Sequence, residues 1–153
     1  MFFRSAQRGD ETAIMGLIRE LALYERAPEQ VVNTEEDLAK HLFEEKICDA
    51  IVAVSEGIIV GFALFFTNYS TWKGKCLYLE DLFVLPEYRK EGIGSQLFDE
   101  VVRIAIERGV KRMDWQVLEW NEPALAFYRK KGAVLDPEWI NGRLFFGPAK
   151  NLS

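Results

Sequence analysis

The sequence predicts an α/β domain built on a mixed central sheet. Three observations point there. Short apolar runs rich in Val, Ile, Leu and Phe read as strands, while other segments carry apolar residues at helical spacing. Three of the strand-like runs follow one another in mid-chain, as antiparallel neighbours do. Later strands are followed by helices, the order that produces parallel neighbours.

Residues 2–6, "FFRSA", form a short first strand. Asp10 offers a side-chain oxygen as N-cap, and Ile14, Leu17, Ile18 and Leu21 give one apolar face to a helix over 11–23. Thr34 with Asp37 resembles a capping box and opens a second helix over 34–44. Residues 50–66 read as two strands joined at Glu56-Gly57, a hairpin signal. Residues 75–85 form the next strand, which Pro86 ends. Gly92 opens a helix carrying Ile93, Leu97, Val101 and Ala105 on its apolar side, and Gly109 closes it. Residues 112–118 are a further strand. "NEPALAFYRKKGA" is a short helix with Pro123 in its first turn and Gly132 at its end, and a closing strand spans 143–147.

The 153 residues suit one domain over 1–153 with its own core, and the 49% apolar content carries no low-complexity tract. A net charge of −5 argues against nucleic-acid binding and suits a cationic partner, although mild acidity also serves solubility. Cys48 and Cys76 lie in apolar runs and read as buried reduced thiols. "MFFRSAQRGDE" lacks the apolar stretch of a signal peptide and no segment approaches a membrane span, so no membrane partner and a cytoplasmic location are expected. The single histidine, His41, reads as a surface residue; one histidine excludes a His-rich zinc site and speaks against a Ser-His-Asp triad, and no metal is expected.

The chemistry concentrates in "YLEDLFVLPEYRKEGIGSQLF", residues 78–98. A glycine-rich link from a strand end to a helix N-terminus gathers amides and positive dipole where an anion can sit. It is not a P-loop, since "RKEGIGSQ" has no Gly-Lys-Ser/Thr ending. It is not a dinucleotide fingerprint either: Leu97 stands where the third glycine belongs, and Asp114 falls at a strand start. Arg89-x-x-Gly92-x-Gly94 remains as a pyrophosphate-wrapping pattern, and a tight turn with no ligand would use the same glycines. Glu80 and Asp81, adjacent inside an apolar strand, should point to opposite faces, so that at least one faces inward and needs a partner or a function.

Arg89-x-x-Gly92-x-Gly94 resembles the acyl-CoA loop of the GNAT acetyltransferase superfamily, and "NEPALAFYRKKGA" resembles its second signature, in the same order and at the same spacing. "IRELALYERAPEQV", "YSTWKGKCLYLEDLFVLPEYR" and "WNEPALAFYRKKGA" resemble the diamine (spermidine/spermine) N-acetyltransferase branch with its thialysine N-acetyltransferase relatives. The resemblance implies a GNAT-like mixed sheet whose two central parallel strands splay apart around the pantetheine arm of acetyl-CoA. The backbone of Leu82, Phe83 and Val84 would pair with that arm. Lys90, Glu91, Gly92, Ile93, Gly94 and Ser95 would offer amides to the pyrophosphate, with Arg89 beside it. Asn121 would contact the cofactor from the second splayed strand, and Tyr128 would stand close to the thioester sulfur. Tyr24, Glu25, Trp72 and Glu80 would line the amine site. The resemblance also implies a homodimer. Without it, Tyr128 reads as a packing residue, Trp72 as a loop anchor and Glu25 as solvated helix surface.

The residue types suit the chemistry. An alkylamine with a pKa of about 10 arrives protonated and cannot attack a thioester. Glu80 would hold the ammonium and take its proton through a water, an N–H near Val84 would face the developing oxyanion, and Tyr128 would return a proton to the leaving sulfur. The expected activity is transfer of an acetyl group from acetyl-CoA to a primary amine of a diamine, polyamine or lysine-like amino acid, with no metal. The alternatives are acetylation of a protein N-terminus or lysine, and a non-catalytic acyl-CoA-binding module.

Overall fold

The computed structural model describes residues 1–147. They fall into two compact units, Met1–Gln116 and the residues from Val117 onward. The first unit holds β1 (Phe2–Ser5), α1 (Glu11–Tyr24), a 3₁₀ turn (Pro28–Gln30) and α2 (Glu35–Ala39), which runs into a π turn (Lys40–Glu44). It continues with β2 (Asp49–Ser55), β3 (Ile58–Ser70), β4 (Gly74–Val84), a second 3₁₀ turn (Pro86–Glu91), α3 (Ile93–Glu107) and β5 (Arg112–Asp114). The five strands form one sheet in the order β1-β2-β3-β4-β5, antiparallel except for the parallel β4–β5 pair. This is the mixed sheet that the sequence predicts.

Register assigns the two faces. Ala50, Val52 and Val54 of β2, Phe62 and Leu64 of β3 and Phe83 of β4 pack in one cluster with Ile14, Met15 and Leu17 of α1 and with Leu38 and Leu42. On the other face α3 lies against β2, β3 and β4 and buries Leu97, Phe98, Val101 and Ala105. Burying apolar surface on both sides of the sheet is what makes this unit a stable layer structure. The β2–β3 turn places Glu56 at φ 50° and Gly57 at φ 77°, the two-residue geometry that matches strand twist.

Several local expectations need correction. Asp10 starts α1 but does not cap it with its side chain. Its carboxylate instead takes hydrogen bonds from the Arg4 guanidinium (2.7 and 3.1 Å) and from the Gln7 N–H (2.8 Å), because a buried charge is best satisfied by a bidentate cation. Thr34 does cap α2, accepting from the Asp37 N–H at 3.1 Å. The expected second helix is therefore α2 plus the π turn, and His41, in that turn, is half-buried rather than on the surface. Cys76 is buried but Cys48 only half so; both are free thiols.

β5 stops at Asp114 instead of reaching 118. The next side chain, Trp115, packs edge-on against Phe98 of α3, with ring centroids 5.4 Å apart. In the second unit α4 (Glu122–Lys130) forms as predicted, with Asn121 as its N-cap and Pro123 in the first turn. The strand expected over 143–147 is absent: these residues belong to no ladder, and Leu144 and Phe146 stand 73% and 85% exposed. A strand exists only by pairing, and none of the described strands pairs with them.

Candidate active site

β4 is the axis of the site. It pairs with β5 only from Cys76↔Arg112 to Tyr78↔Asp114, while on its other side it stays paired with β3 as far as Gly61↔Val84. Among the described residues no strand ladders onto residues 79–84 on the β5 side. The backbone of Leu82, Phe83 and Val84 therefore lies on a one-sided edge, where an extended ligand can add as a strand would. Gly61 supports this stretch. A Cβ there would stand 3.0 Å from the Phe83 carbonyl oxygen and 3.3 Å from Leu97 Cδ1, so glycine lets α3 and the strand close up.

The register slips inside β4. Leu64 faces Asp81 and Phe65 faces Leu79, which leaves Glu80 as an extra residue with no opposite number. The consequence follows from the two-residue period. Tyr78 stacks on Phe66 across the ladder (centroids 5.3 Å), and Glu80 shares that face. Past the bulge the phase changes, so Asp81 opposite Leu64 and Phe83 opposite Phe62 also turn to the α1 side. Glu80 and Asp81 thus share one face, contrary to the alternation expected from sequence, because the extra residue resets the pleat.

The end of α1 meets them there. The Ala27 N–H bonds to the Ala22 carbonyl (2.9 Å) and the Arg26 N–H to that of Leu23 (3.1 Å), with Arg26 at φ 64°. This is a Schellman closure with arginine in the left-handed position usually given to glycine, and it fixes Tyr24 and Glu25 at the helix end. Burial first, and then the Glu80 charge, raises the Glu25 carboxyl above its ordinary range. Asp81 is pushed up to about 7, by burial first and then by the charges of Glu80 and Glu25. Every influence on Asp81 acts in the same direction. A cation placed among these carboxylates would relieve all of it, and the negative end of the α1 dipole adds to the attraction.

The glycine loop follows. Residues Pro86–Glu91 make the 3₁₀ turn, Gly92 takes φ 75°, and the first α-helical bond of α3 runs from the Gln96 N–H to the Gly92 carbonyl at 3.1 Å. The amides ahead of that bond, including those of Ile93 and Gly94, have their acceptors outside the helix. A Cβ on Gly94 would meet Val84 Cγ2 at 3.8 Å, an ordinary contact, and its φ is unstrained. Nothing within the described protein requires glycine at 94, and the missing Cβ leaves the backbone there open to the close approach of an anion. Lys90 and Glu91 are exposed on the turn, while Ser95 is half-buried in the first turn of α3. Arg89 folds back rather than reaching along the loop. Its Nε donates to the Val84 carbonyl at 3.0 Å, and its guanidinium lies 5.3 Å from the ring centroids of both Tyr24 and Phe83. It ties the C-terminal end of α1 to the C-terminal end of β4.

Trp72 is not brought to this cluster. It stands 84% exposed in the β3–β4 turn, where Ser70 Oγ accepts from the Trp72 N–H (3.2 Å) and the Lys73 N–H (3.1 Å). From that turn to Glu80 is about 20 Å of extended strand. In the second unit Asn121 and Tyr128 are both buried on α4. Asn121 Oδ1 accepts from the Ala124 N–H at 3.3 Å, and the Tyr128 ring sits edge-on to Phe127, with centroids 5.2 Å apart. A separate cavity of about 450 Å³, lined by Phe43, Cys48 and Arg108 among others, contains none of these residues. Sequence reasoning missed Asp81 and Gly61 as site residues. A lone glycine inside the strand "IIVGFALFF" was the available signal for the second; the bulge that turns Asp81 inward has none.

Comparison with known proteins agrees with this geometry. The sequence profile of the Acetyltransferase (GNAT) family matches residues 15–133. A thialysine N-epsilon-acetyltransferase of Bos taurus is 39% identical over 142 residues, covering 87% of this chain and 84% of its own. An L-ornithine N5-acetyltransferase of Arabidopsis thaliana is 38% identical over 92 residues, 60% of this chain and 40% of its own. Among solved structures, an integron cassette protein from the mobile metagenome of V. cholerae superposes with a TM-score of 0.75 at 29% identity, over 96% of this chain and 93% of its own. With the short parallel β4–β5 pair and the glycine loop in place, and the family profile matched over residues 15–133, the chain belongs to the GNAT acetyltransferase family and is an acetyltransferase.

Proposed function

We propose that the enzyme acetylates a primary amine of a small cationic acceptor, either a short diamine or a lysine-like amino acid. The bulge at Glu80 carries this reading, because it sets Glu80, Asp81 and Glu25 around one place on the α1 face of the sheet. Such a group of carboxylates suits a substrate with an ammonium to deprotonate and a second charge to anchor. The relatives named for thialysine and L-ornithine act on amino acids of that kind, which supports it.

Acetyl-CoA supplies an acyl group activated as a thioester. The open edge at 82–84 and the unobstructed Gly94 fit its arm and its phosphates. The chain's own groups do the rest. Amides of residues 90–95 hold the phosphates, Glu80 and Asp81 hold the ammonium and accept its proton, and the Tyr128 hydroxyl supplies a proton to the departing sulfur. Tyr24 presents a ring beside the cluster, while Arg89 keeps that ring and the β4 end in place. We also infer a homodimer: Trp72 keeps its expected place at the amine only if a second copy delivers it.

Thiol release from acetyl-CoA tests the function. It is measured with thialysine, ornithine, a short diamine, spermidine and a panel of peptides bearing free N-termini and lysines. Turnover should favour the small amines. A preference for the peptides would make the chain a protein acetyltransferase, and acetyl-CoA binding without release to any acceptor would make it a non-catalytic module.

A further inference from the structure

We infer that Arg89 selects the acceptor: its two terminal nitrogens take the α-carboxylate of a lysine-like amino acid whose side-chain amine lies among Glu25, Glu80 and Asp81. The enzyme then prefers such an amino acid to a diamine of the same length. This rests on the acetylation of a small amine proposed above, and it adds which chemical group stands at the acceptor's far end.

Backbone direction explains why Arg89 is turned away from the glycine loop. The Leu85 N–H bonds to the Val60 carbonyl at 2.9 Å, so the peptide groups of Leu85 point toward β3. By alternation those of Val84 point to the open edge of β4. Arg89 Nε is anchored on that outward Val84 carbonyl at 3.0 Å, and its guanidinium is held 5.3 Å from the ring centroids of Tyr24 and Phe83. The anchor uses the Nε donor alone. Nη1 and Nη2 make no hydrogen bond or ion pair with the described residues, and Arg89 is exposed. A pinned guanidinium with its outer fork unused is shaped for a carboxylate.

Position along the strand sets the spacing. Asp81 and Phe83 share the α1 face and stand two residues apart, about 7 Å along β4. The guanidinium lies beside Phe83, so the anionic and cationic ends of the site are about one such step apart. In a lysine-like amino acid the side-chain nitrogen and the carboxylate carbon are separated by as many bonds as two residues of backbone. An extended acceptor therefore spans the same ~7 Å. Its ammonium meets the carboxylates while its carboxylate meets the Arg89 fork. A diamine of that length brings a second ammonium toward the guanidinium instead, a like-charge contact that counts against it.

Three acceptors that differ at one group test this: thialysine, its carboxamide, and the diamine left when thialysine loses its carboxylate. Thiol release should show kcat/KM falling at least about tenfold from thialysine to either of the others, mainly through KM. Arg89→Gln should bring the three within about threefold of one another. Arg89→Lys should fall between, since a point charge keeps the attraction and loses the fork. An unmodified chain that treats the three alike, or prefers the diamine, overturns the inference without any variant. So does an Arg89→Gln protein that keeps the preference, whatever its absolute rate; if it also loses acetyl-CoA affinity by calorimetry, Arg89 serves the phosphates. Should Arg89→Gln not fold, a preference undiminished in Arg89→Lys overturns the inference. Calorimetry of the three compounds against the chain saturated with coenzyme A reads the carboxylate without turnover. If no small amine is acetylated, the function proposed above fails. Tighter binding of thialysine than of its carboxamide would still support the role of Arg89, and equal binding would overturn that role as well.

Discussion

Gly92 and Gly94 stand two residues apart and are glycines for different reasons. Gly92 sits at φ 75°, so Gly92→Ala should cost on the order of 1 kcal/mol of stability, read from denaturant unfolding. Gly94 is unstrained and uncrowded, so Gly94→Val should fold normally and lose at least about tenfold in acetyl-CoA affinity by calorimetry. Unchanged affinity would remove the phosphate from that loop. Tyr128→Phe removes one hydroxyl, and turnover should fall roughly 10²-fold while acetyl-CoA affinity holds. Near-normal turnover would show that the sulfur takes its proton elsewhere. Asp81 makes the sharpest claim. Its folded value of about 7 lies above that of an unfolded aspartate, so the folded state binds the proton more tightly. The contribution of Asp81 to stability is therefore most favourable at acid pH and declines as pH rises toward and through about 7, opposite in sign to that of the Arg4-paired Asp10. Asp81→Asn should stabilise the fold by roughly 2–4 kcal/mol at about pH 8 and by almost nothing at about pH 4. If Asp81 also holds the ammonium, the same variant should lose the acid limb of the kcat/KM profile near 7. A variant no more stable at high pH would show that Asp81 is not ionised at a cost.

Elements with a strong period were legible in the sequence. The spacing of Ile14, Leu17, Ile18 and Leu21 gave α1, and that of Ile93, Leu97, Val101 and Ala105 gave α3, each within a residue or so of its observed ends. Glu56-Gly57 marked the hairpin because only a few residue pairs accept its backbone angles. The bulge in β4 was not legible. The strand is apolar on both faces there, so the side-chain pattern carries no phase in which an extra residue could show. The short β5 and the unpaired 143–147 segment escaped for a related reason, since strand propensity is local while pairing depends on a distant edge. Site residues followed the same division: the loop glycines announced themselves, whereas Asp81 became a candidate only once register was known. The β3–β4 turn offers a test at this scale. Aspartate at 70 can accept from the Trp72 and Lys73 N–H groups as Ser70 does, so Ser70→Asp should fold and add one carboxylate beside Trp72. Competition assays should then show spermidine gaining several-fold against thialysine, as expected for an added charge contact of about 1 kcal/mol. A preference for spermidine already present in the unaltered chain, and unmoved by Ser70→Asp, would return the acceptor class to polyamines.

At the scale of the whole molecule the chain joins a well-packed first unit to a segment whose apolar residues face water. Acidic residues outnumber basic ones for a net charge of −5, which limits indiscriminate sticking of that segment. Its exposure has a consequence in mass action. If burying Trp139, Ile140, Leu144 and Phe146 requires a second chain, then folding and association are one equilibrium and dilution acts as a destabilising agent. The melting midpoint should climb by about 2–4 °C for each tenfold rise in protein concentration. It should stay flat for a protein carrying Leu144→Asp and Phe146→Asp. Enzyme kept in a very dilute assay would then lose activity over time in proportion to how far it has been diluted, and bringing it back to its stock concentration would restore it.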